Sequence, residues 1–461
     1  MMLNPLKKLT LNKEMEMTNL TKSANLKELL IDKFDSHINN LNGLSNTFLA
    51  ESKVNFLEKL KLESFPTLKT EDWKYTNIKE IVNSEFELAD CTNKSIKIDE
   101  EYIKSKFYEI ESIKLVFING VFNEKYSDLS KVPDFAVITN LKEAVKKHPE
   151  VIKKHFNKLI TNENIFNLIN STFLLDGLFI WVPENKTIEL PIQVAYFTGS
   201  DSDKVLSVPR NLIFAHKNSE FSVVLNYQGY GSSSYLNNTV TEAYIDEDAR
   251  VSIYTIQDQN ENSYHIERTE VLQKNRSVFN NFTFSFGGKI IRNDIGSELD
   301  GEFLECHYYG LSLGQGNQHI DNHTFVDHAK PNCLSNELYK SILDDNSHGV
   351  FAGKILVRQD SQKTNAYQSN KTVLLKDTAK IDTQPQLEIF ADDVKCSHGA
   401  TVGQLDKNAY FYIRARGVGE ETAKSMLIRA FAMDVLDNIK LEVVKEDLNH
   451  KIFKHLHKVE I

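Results

Sequence analysis

The sequence lacks the features of a membrane-spanning or secreted protein. Its 461 residues contain no run of the ~18–20 apolar residues that a membrane helix needs. The first twenty residues carry lysines but neither an apolar segment nor a small-residue cleavage site. We therefore expect a cytoplasmic protein with no role at a membrane. Residues 1–20 are either a disordered extension or partly untranslated sequence ahead of a start at Met15 or Met17.

Cysteine and catalytic motifs are also scarce. The four cysteines are widely spaced and form no CxxC, so we expect a reducing cytosol and no disulfide framework. They are Cys91, Cys306, Cys333 and Cys396. No GxSxG is present, and the glycines of GLSLGQGN (310–317) lack a lysine at P-loop spacing. The chain is therefore not expected to be an enzyme.

A basic surface is the third missing feature. Lys and Arg number 54 against 64 Asp and Glu, so the net charge is −10, which disfavours nucleic-acid binding. The hydrophobic content of 41% and the charged content of 26% are those of an ordinary globular protein. A chain of this length has room for two or three domains.

Local patterns divide the chain after residue 20 into three predicted domains. Residues 21–170 form an α-rich domain, with helices over 26–41, 46–65 and 141–159 and a strand over 113–120. Residues 171–410 form a β core, and residues 411–461 form a C-terminal helical domain.

The β core contains short β-rich runs separated by Asn, Asp, Gly, Ser and Lys, with no amphipathic helix of ten residues between them. In its later half the runs recur roughly every 15–16 residues, a spacing typical of a solenoid whose coils stack. We predict a parallel β-helix. A pair of β-sandwiches is the alternative that this spacing leaves open.

The C-terminal domain contains two predicted helices, over 420–437 and 440–456. Glu420 and Glu421 lie in the first turn of the former, where the helix dipole favours acidic side chains. Its predicted apolar face is Ala423, Met426, Leu427, Ala430 and Phe431. The helical pair either covers an open end of the solenoid or docks a partner.

The stretch VKCSHGATVGQLD (394–406) contains the first candidate site. On a strand, Cys396 and His398 point to the same side, together with Val394, Ala400 and Val402. A low-pKa thiolate beside an imidazole would bind a metal or carry sulfur. The alternative is a small buried cysteine and a hydrogen-bonded histidine in the core.

The stretch HIDNHTFVDHAKPNC (319–333) contains the second. His319, Asp321 and His323 share one strand face, and His328 and Cys333 follow. These residue types are metal ligands, but nothing in the spacing supplies a complete set. The alternative is a polar ladder on a solvated or interface face.

Six stretches together resemble the SufD proteins of the SufB/SufD family, which assemble iron–sulfur clusters. They are TEDWKYT (70–76), DNHTFVDHAKPNCLSNELYKSIL (321–343), GVFAGKILV (349–357), QSNKTVLL (368–375), ADDVKCSHGATVGQLD (391–406) and FYIRARGVGEETAKSMLIRAFAMDVLD (411–437). The resemblance implies a right-handed parallel β-helix flanked by helical domains. It also implies a heterodimer with SufB and docking of the ABC-type ATPase SufC by the C-terminal helices, with Arg429 available to that partner.

Two positions separate the chain from SufB-like sequences. The strand in which SufB-like chains carry a cysteine has Ser369 and Asn370 here, and Gly399 stands where they carry a glutamate after the histidine. The resemblance implies that Cys396 and His398 share a transient iron–sulfur cluster or iron with SufB. We expect the isolated chain to bind neither tightly, and a homodimer is possible in isolation. The alternatives are a β-helix carbohydrate-active enzyme and a purely structural solenoid.

Overall fold

A computed structural model describes residues 25–39, 47–89, 98–201 and 204–457. The expectations for residues 1–20 and for Cys91 lie outside these residues. The helices are α1 (Leu26–Asn39), α2 (Phe48–Leu62), α3 (Lys79–Val82), α4 (Glu100–Lys104), α5 (Leu141–Lys147), α6 (Pro149–His155), α7 (Ile165–Phe173), α8 (Lys407–Ala415), α9 (Glu420–Leu436) and α10 (Glu442–His457). None of these described helices is long and apolar enough to cross a membrane.

The strands lie mostly in the second half of the chain. They are β1 (Glu87–Leu88), β2 (Ile113–Ile118), β3 (Val121–Phe122), β4 (Val137–Asn140), β5 (Leu178–Val182), β6 (Ile192–Gly199), β7 (Val205–Ser207), β8 (Arg210–Ala215), β9 (Glu220–Tyr230), β10 (Tyr235–Ile245), β11 (Arg250–Asp258), β12 (Tyr264–Gln273), β13 (Val278–Ser285), β14 (Ile290–Leu299), β15 (Glu305–Gly314), β16 (His319–His328), β17 (Leu334–Leu343), β18 (His348–Val357), β19 (Asn365–Leu374), β20 (Lys380–Ile389) and β21 (Lys395–Gly403).

These strands form a parallel β-solenoid with two sheets. From β8 onward, even-numbered strands join one sheet and odd-numbered strands the other, so each strand pairs in parallel with the strand one coil earlier. Strands β16 to β21 begin at residues 319, 334, 348, 365, 380 and 395, close to the predicted spacing. The predicted parallel β-helix is confirmed. The β-sandwich alternative is wrong, because sandwiches are built from antiparallel sheets.

Alternate residues of each strand fill the space between the two sheets. Leu115 on β2, Val194 on β6 and Ile253 on β11 belong to one buried cluster that continues to Ala366 on β19. This cluster runs along the solenoid because identical strand registers stack one coil on the next. At its far end, Cys396 of β21 is only partly buried against it.

The polar corners between coils are left-handed turns. Asn218, Asp248 and Asn332 have φ of 53°, 60° and 62°. Asn and Asp tolerate this conformation better than most residues, since their short side chains bond locally to the backbone. Such residues between the β-rich runs therefore set where each coil bends.

Helices cover the outer face of each sheet. The N-terminal helices α1, α2 and α7 pack against the even-numbered sheet, and α9 and α10 pack against the odd-numbered sheet. The predicted helix over 141–159 is two helices, α5 and α6, because Pro149 lacks the N–H needed to continue the first and instead begins the second.

Candidate functional site

Cys396 and His398 lie on the last strand of the solenoid. Strand β21 pairs with β19 on one side, with Cys396 opposite Ala366 and His398 opposite Gln368. Within the described residues, β21 and β20 end their respective sheets and have no strand beyond them. The inward face of this coil, which carries both residues, is therefore uncovered in the single chain.

The two side chains differ in burial. Cys396 packs partly against the solenoid core, whereas His398 is exposed. The alternative that His398 is a core residue is therefore wrong for the single chain. The exposure follows from its position, since no further coil stacks on β21 within the part of the chain described.

The thiol of Cys396 is not activated by its surroundings. Burial raises the pKa of Cys396, and a hydrogen bond from the Ala366 backbone only partly opposes this. The low-pKa thiolate considered from the sequence is therefore wrong for the chain by itself. A metal ion that binds Sγ must displace the proton, as thiolate ligation always requires.

Apolar side chains surround this open end. Val402 on β21, Phe390 after β20 and Tyr367 on β19 are 48%, 64% and 43% exposed. An uncovered strand edge with adjacent apolar side chains is a template for pairing with another chain. The geometry therefore suits a site that a second protein completes.

The second candidate, His319, Asp321 and His323, forms a junction with the N-terminal domain. Asp321 is fully buried and accepts hydrogen bonds from Arg292 Nη1 at 2.8 Å and from Thr76 Oγ1 at 2.5 Å. Its other carboxylate oxygen lies 2.9 Å from Nε2 of His323. His319 also contacts Thr76, at 2.8 Å.

Electrostatics within this junction explain why the buried Asp321 stays charged. Burial alone would raise the pKa of Asp321, but His323 and Arg292 outweigh it and hold the pKa below its usual range. Burial lowers the pKa of His319 to about 4, so this imidazole is neutral. No group of three or more His, Cys, Asp or Glu suited to a metal occurs among the described residues. The polar-ladder interpretation is the one that these contacts favour.

His328 and Cys333 do not join the second candidate. His328 is buried and lies 2.9 Å from Ser335 Oγ, and the Cys333 thiol donates to the Gly301 carbonyl at 3.1 Å. Both face the solenoid interior. Strand alternation already places His328 on the face opposite His319, whereas the position of Cys333, which follows the strand, depends on the tertiary structure.

Arg292 is the centre of the junction, and no sequence pattern indicates it. The guanidinium of Arg292 stacks on the indole ring of Trp73, 3.9 Å from its centroid, and donates to the carbonyl of Asp72 at 2.7 Å. It also donates to both carboxylate oxygens of Asp294. Trp73 was noted as part of TEDWKYT, but nothing in the sequence identifies its partner on β14.

The third candidate, Arg429, lies on the exposed side of α9. The buried residues of this helix are Ala423, Ser425, Ile428, Ala432, Val435 and Leu436. The predicted apolar face is therefore only partly right, since Ala423 is buried and Phe431 packs partly buried against the same cluster, but the other three residues are not buried. Met426 is 50% exposed, Ala430 is exposed, and Leu427 and Phe431 are half-buried.

The buried side of α9 differs from the predicted one because the helix contacts two surfaces at once. The helix packs against α10 and also against aromatic residues on the outer face of the odd-numbered sheet, such as Phe282 and Tyr309. Lys340 of β17 fixes its rotation by donating to the Phe431 carbonyl and to Asp434, each at 2.5 Å. Arg429 and Met426 are left outside, where a partner can reach them.

The N-terminal and core regions of the chain both match the same family of known proteins. Residues 197–431 match the family model described as "SUF system FeS cluster assembly, SufBD core domain", and residues 24–194 match the "SufBD protein N-terminal region". An iron–sulfur cluster assembly SufBD family protein of Synechocystis is 28% identical over 409 residues, covering 87% of this chain and 90% of that protein. The iron–sulfur cluster assembly protein SufD of Escherichia coli is 26% identical over 402 residues, covering 87% and 91%.

Proposed function

Since this chain belongs to the SufBD family of iron–sulfur cluster assembly proteins, we propose that it is a SufD-type scaffold subunit. In this role it pairs with SufB, docks the ATPase SufC and catalyses no reaction by itself. It works in the cytoplasm. The family assignment favours this function over a carbohydrate-active enzyme or a purely structural solenoid.

The observation that carries the proposal is the uncovered inward face of β21 with Cys396 and His398 on it. The exposed strand edges of β20 and β21 are suited to pairing with the corresponding end of a second solenoid. SufB is that partner, and the isolated chain uses the same end to form a homodimer. Pairing covers the exposed Val402 and Phe390.

Iron or a nascent cluster is the cargo of this interface. A thiol and an imidazole are donors that iron and iron–sulfur clusters accept. Two donors do not complete a tetrahedral site, so the remaining ligands come from SufB. For the same reason the isolated chain binds iron weakly.

Gly399 supports the SufD-type assignment over the SufB-type one. A Cβ built on Gly399 would meet no atom within 4 Å, so the chain has room there for the glutamate of SufB-like sequences. Steric hindrance within the chain therefore does not explain why position 399 lacks this glutamate. We infer that the ligand or charge at this point of the interface belongs to SufB alone.

The docking surface for SufC is the exposed side of α8 and α9. Arg429 and Met426 on α9 are exposed, and Phe411 and Tyr412 on α8 are 74% and 59% exposed. Exposed aromatic, Met and Arg side chains are the types enriched in protein interfaces.

Capture from native lysate tests the function. The tagged full chain should bring down SufB and SufC, and the purified complex should assemble a cluster from ferrous iron and sulfide under anaerobic conditions. A glycan-cleaving activity, or capture of neither partner, would contradict the proposal. The variant Glu261→Gln, at an exposed turn, serves as a control that should change nothing.

A further inference from the structure

Polar side chains run through the interior of the solenoid, between the two sheets. In the middle coils they bond to one another. Gln257 donates to Glu267 at 3.1 Å and to Asn293 at 2.7 Å, and Asn293 donates to Asn322 at 2.9 Å. These bonds meet the requirement that buried polar groups find partners.

Nearer the open end, several interior polar atoms lack partners. Buried atoms without a hydrogen bond include Glu337 Oε1, Gln368 Oε1, both amide atoms of Asn370 and Thr372 Oγ1. Their residues are between 1% and 3% exposed. Polar atoms in such a place are ordinarily satisfied by buried water. The interior below the open end is therefore suited to hold water.

Glu337 is the ionisable residue at the inner end of this region. Its Oε2 accepts from Thr324 Oγ1 at 2.5 Å and from Gln368 Nε2 at 3.2 Å. Burial raises the pKa of Glu337 to about 7, and the hydrogen bonds from Thr324 and Gln368 only partly oppose the increase.

The titratable groups whose pKa the Glu337 carboxylate raises are all uncharged near neutral pH. They are Cys306 and Tyr308 on β15 and Tyr339 on β17, and burial also raises the pKa of each. Among the described residues, no lysine, arginine or histidine contributes to the pKa of Glu337. The carboxyl group therefore changes charge without a fixed counter-ion, which makes it able to take up and release a proton.

The strand registers align Glu337 with the open end. Glu337 of β17 lies opposite Gln368 of β19, and Gln368 lies opposite His398 of β21. Neighbouring strands are about 4.8 Å apart, so Glu337 and His398 are separated by roughly 10 Å along the interior. Gln368, with Asn370 and Thr372 on the same face of β19, occupies the space between them.

We propose that Glu337 is a proton-binding site inside the solenoid that exchanges protons with the Cys396–His398 end through water bound along β19. This inference rests on the proposed function, because iron binding at Cys396 is the event that releases the proton. When Cys396 binds Fe²⁺, the S–H bond breaks and an S–Fe bond forms, and the released proton moves to the carboxylate of Glu337. No electron is transferred, so the step needs no oxidant or reductant.

Infrared difference spectroscopy on the full chain in complex with SufB and SufC tests this site. The carbonyl stretch of a protonated carboxyl group should be present at pH 6 and disappear by pH 9, with a midpoint near 7. It should be absent in Glu337→Gln and unchanged in Glu261→Gln. Labelling glutamate with ¹³C at the side-chain carboxyl carbon should shift the band in the wild-type protein, which identifies it as a glutamate, and its loss in Glu337→Gln identifies the residue. A band that persists in a folded Glu337→Gln complex would overturn the assignment.

Two further measurements test whether Glu337 exchanges protons with the Cys396–His398 end. Rapid anaerobic mixing with Fe²⁺ at pH 8 should increase the protonated band transiently in wild-type complex, before the proton passes to solvent, and leave it unchanged in Cys396→Ser. In Gln368→Leu, hydrogen–deuterium exchange of the band should slow at least tenfold. Tight iron binding with no change in the band would overturn the coupling and leave the proposed function standing. Failure of the wild-type complex to bind iron would overturn the proposed function and the coupling together, while the pH titration would still report on Glu337.

Discussion

Arg292 stacks on Trp73 at 3.9 Å and joins the outer face of the solenoid to the N-terminal domain. The guanidinium is 2% exposed and also pairs with Asp294 and Asp321, both at 2.8 Å. A buried charge held by two carboxylates and an aromatic face requires the planar, forked geometry of arginine. This contact explains why the stretch TEDWKYT packs where it does.

We expect Arg292→Lys to destabilise the protein by roughly 2–3 kcal/mol, because lysine keeps the charge but loses the paired bonds and the stacking. Thermal unfolding measures the loss, and limited proteolysis should cut first near residues 66–77. The control Arg358→Lys changes an arginine that is itself half-exposed and pairs with Glu298 and Asp327, and it should cost ~1 kcal/mol or less. Equal effects of the two variants would contradict the central role of Arg292.

His398→Ala should reduce cluster assembly by the complex roughly tenfold or more without lowering its stability. The imidazole is exposed in the single chain, so its removal should change the free energy of unfolding by about 0.5 kcal/mol or less. Melting curves and cluster formation are measured on the same samples. His328→Ala is the matched control, since it removes a buried histidine and should lower stability by roughly 1–3 kcal/mol. Loss of activity that only follows the unfolded fraction would contradict a functional role for His398.

Cys396→Ser should have a milder effect than His398→Ala if SufB supplies the principal sulfur acceptor. Serine retains the size of the side chain but is a poor ligand for iron. Cluster yield and iron content of the purified complex give the comparison. A complete loss with Cys396→Ser would instead identify this thiol as an essential ligand.

Arg429→Glu should weaken SufC binding at least tenfold while the solenoid stays folded. The side chain is exposed on α9 and the reversal places a negative charge in the proposed interface. Affinity is measured by titration calorimetry, with Arg250→Glu on β11 as the control. Truncation near residue 415 is a less specific test, because it would also uncover Phe282 and Tyr254 on the sheet. Unchanged SufC affinity in Arg429→Glu would contradict this docking surface.

Glu337→Gln should change how stability depends on pH. The pKa of Glu337 is about 7 in the folded protein and 4.5 is its ordinary value, so the folded state holds more protons between these values. The wild-type protein therefore loses stability as pH rises from about 4.5 to 7, on the order of 1–3 kcal/mol. The variant lacks this loss, so its melting temperature relative to wild type should rise between pH 5 and pH 9. A constant difference across this range would indicate that Glu337 does not titrate.

The sequence by itself determined the class of fold and the family. Regularly spaced β-rich runs with polar corners favour a stacked solenoid over a pair of β-sandwiches, because each coil buries the same alternating positions against its neighbours, and the family resemblance adds to this. The helices over 48–62 and 420–436 and the strand over 113–118 also follow from local periodicity. The pair Cys396 and His398 was identified as sharing one face, since strand alternation is a local property.

Only the tertiary structure decided what surrounds each of these residues. The buried side of α9 depends on two surfaces brought together from distant strands, and periodicity within one helix cannot identify them. Trp73 meets Arg292 only when the N-terminal domain packs on the solenoid, and Glu337 is removed from bulk solvent only when neighbouring coils stack. The exposure of His398 and the raised pKa of Glu337 have the same physical origin. Stacking excludes bulk solvent from the interior of every coil except the last, and a side chain's chemistry follows from which coil it occupies.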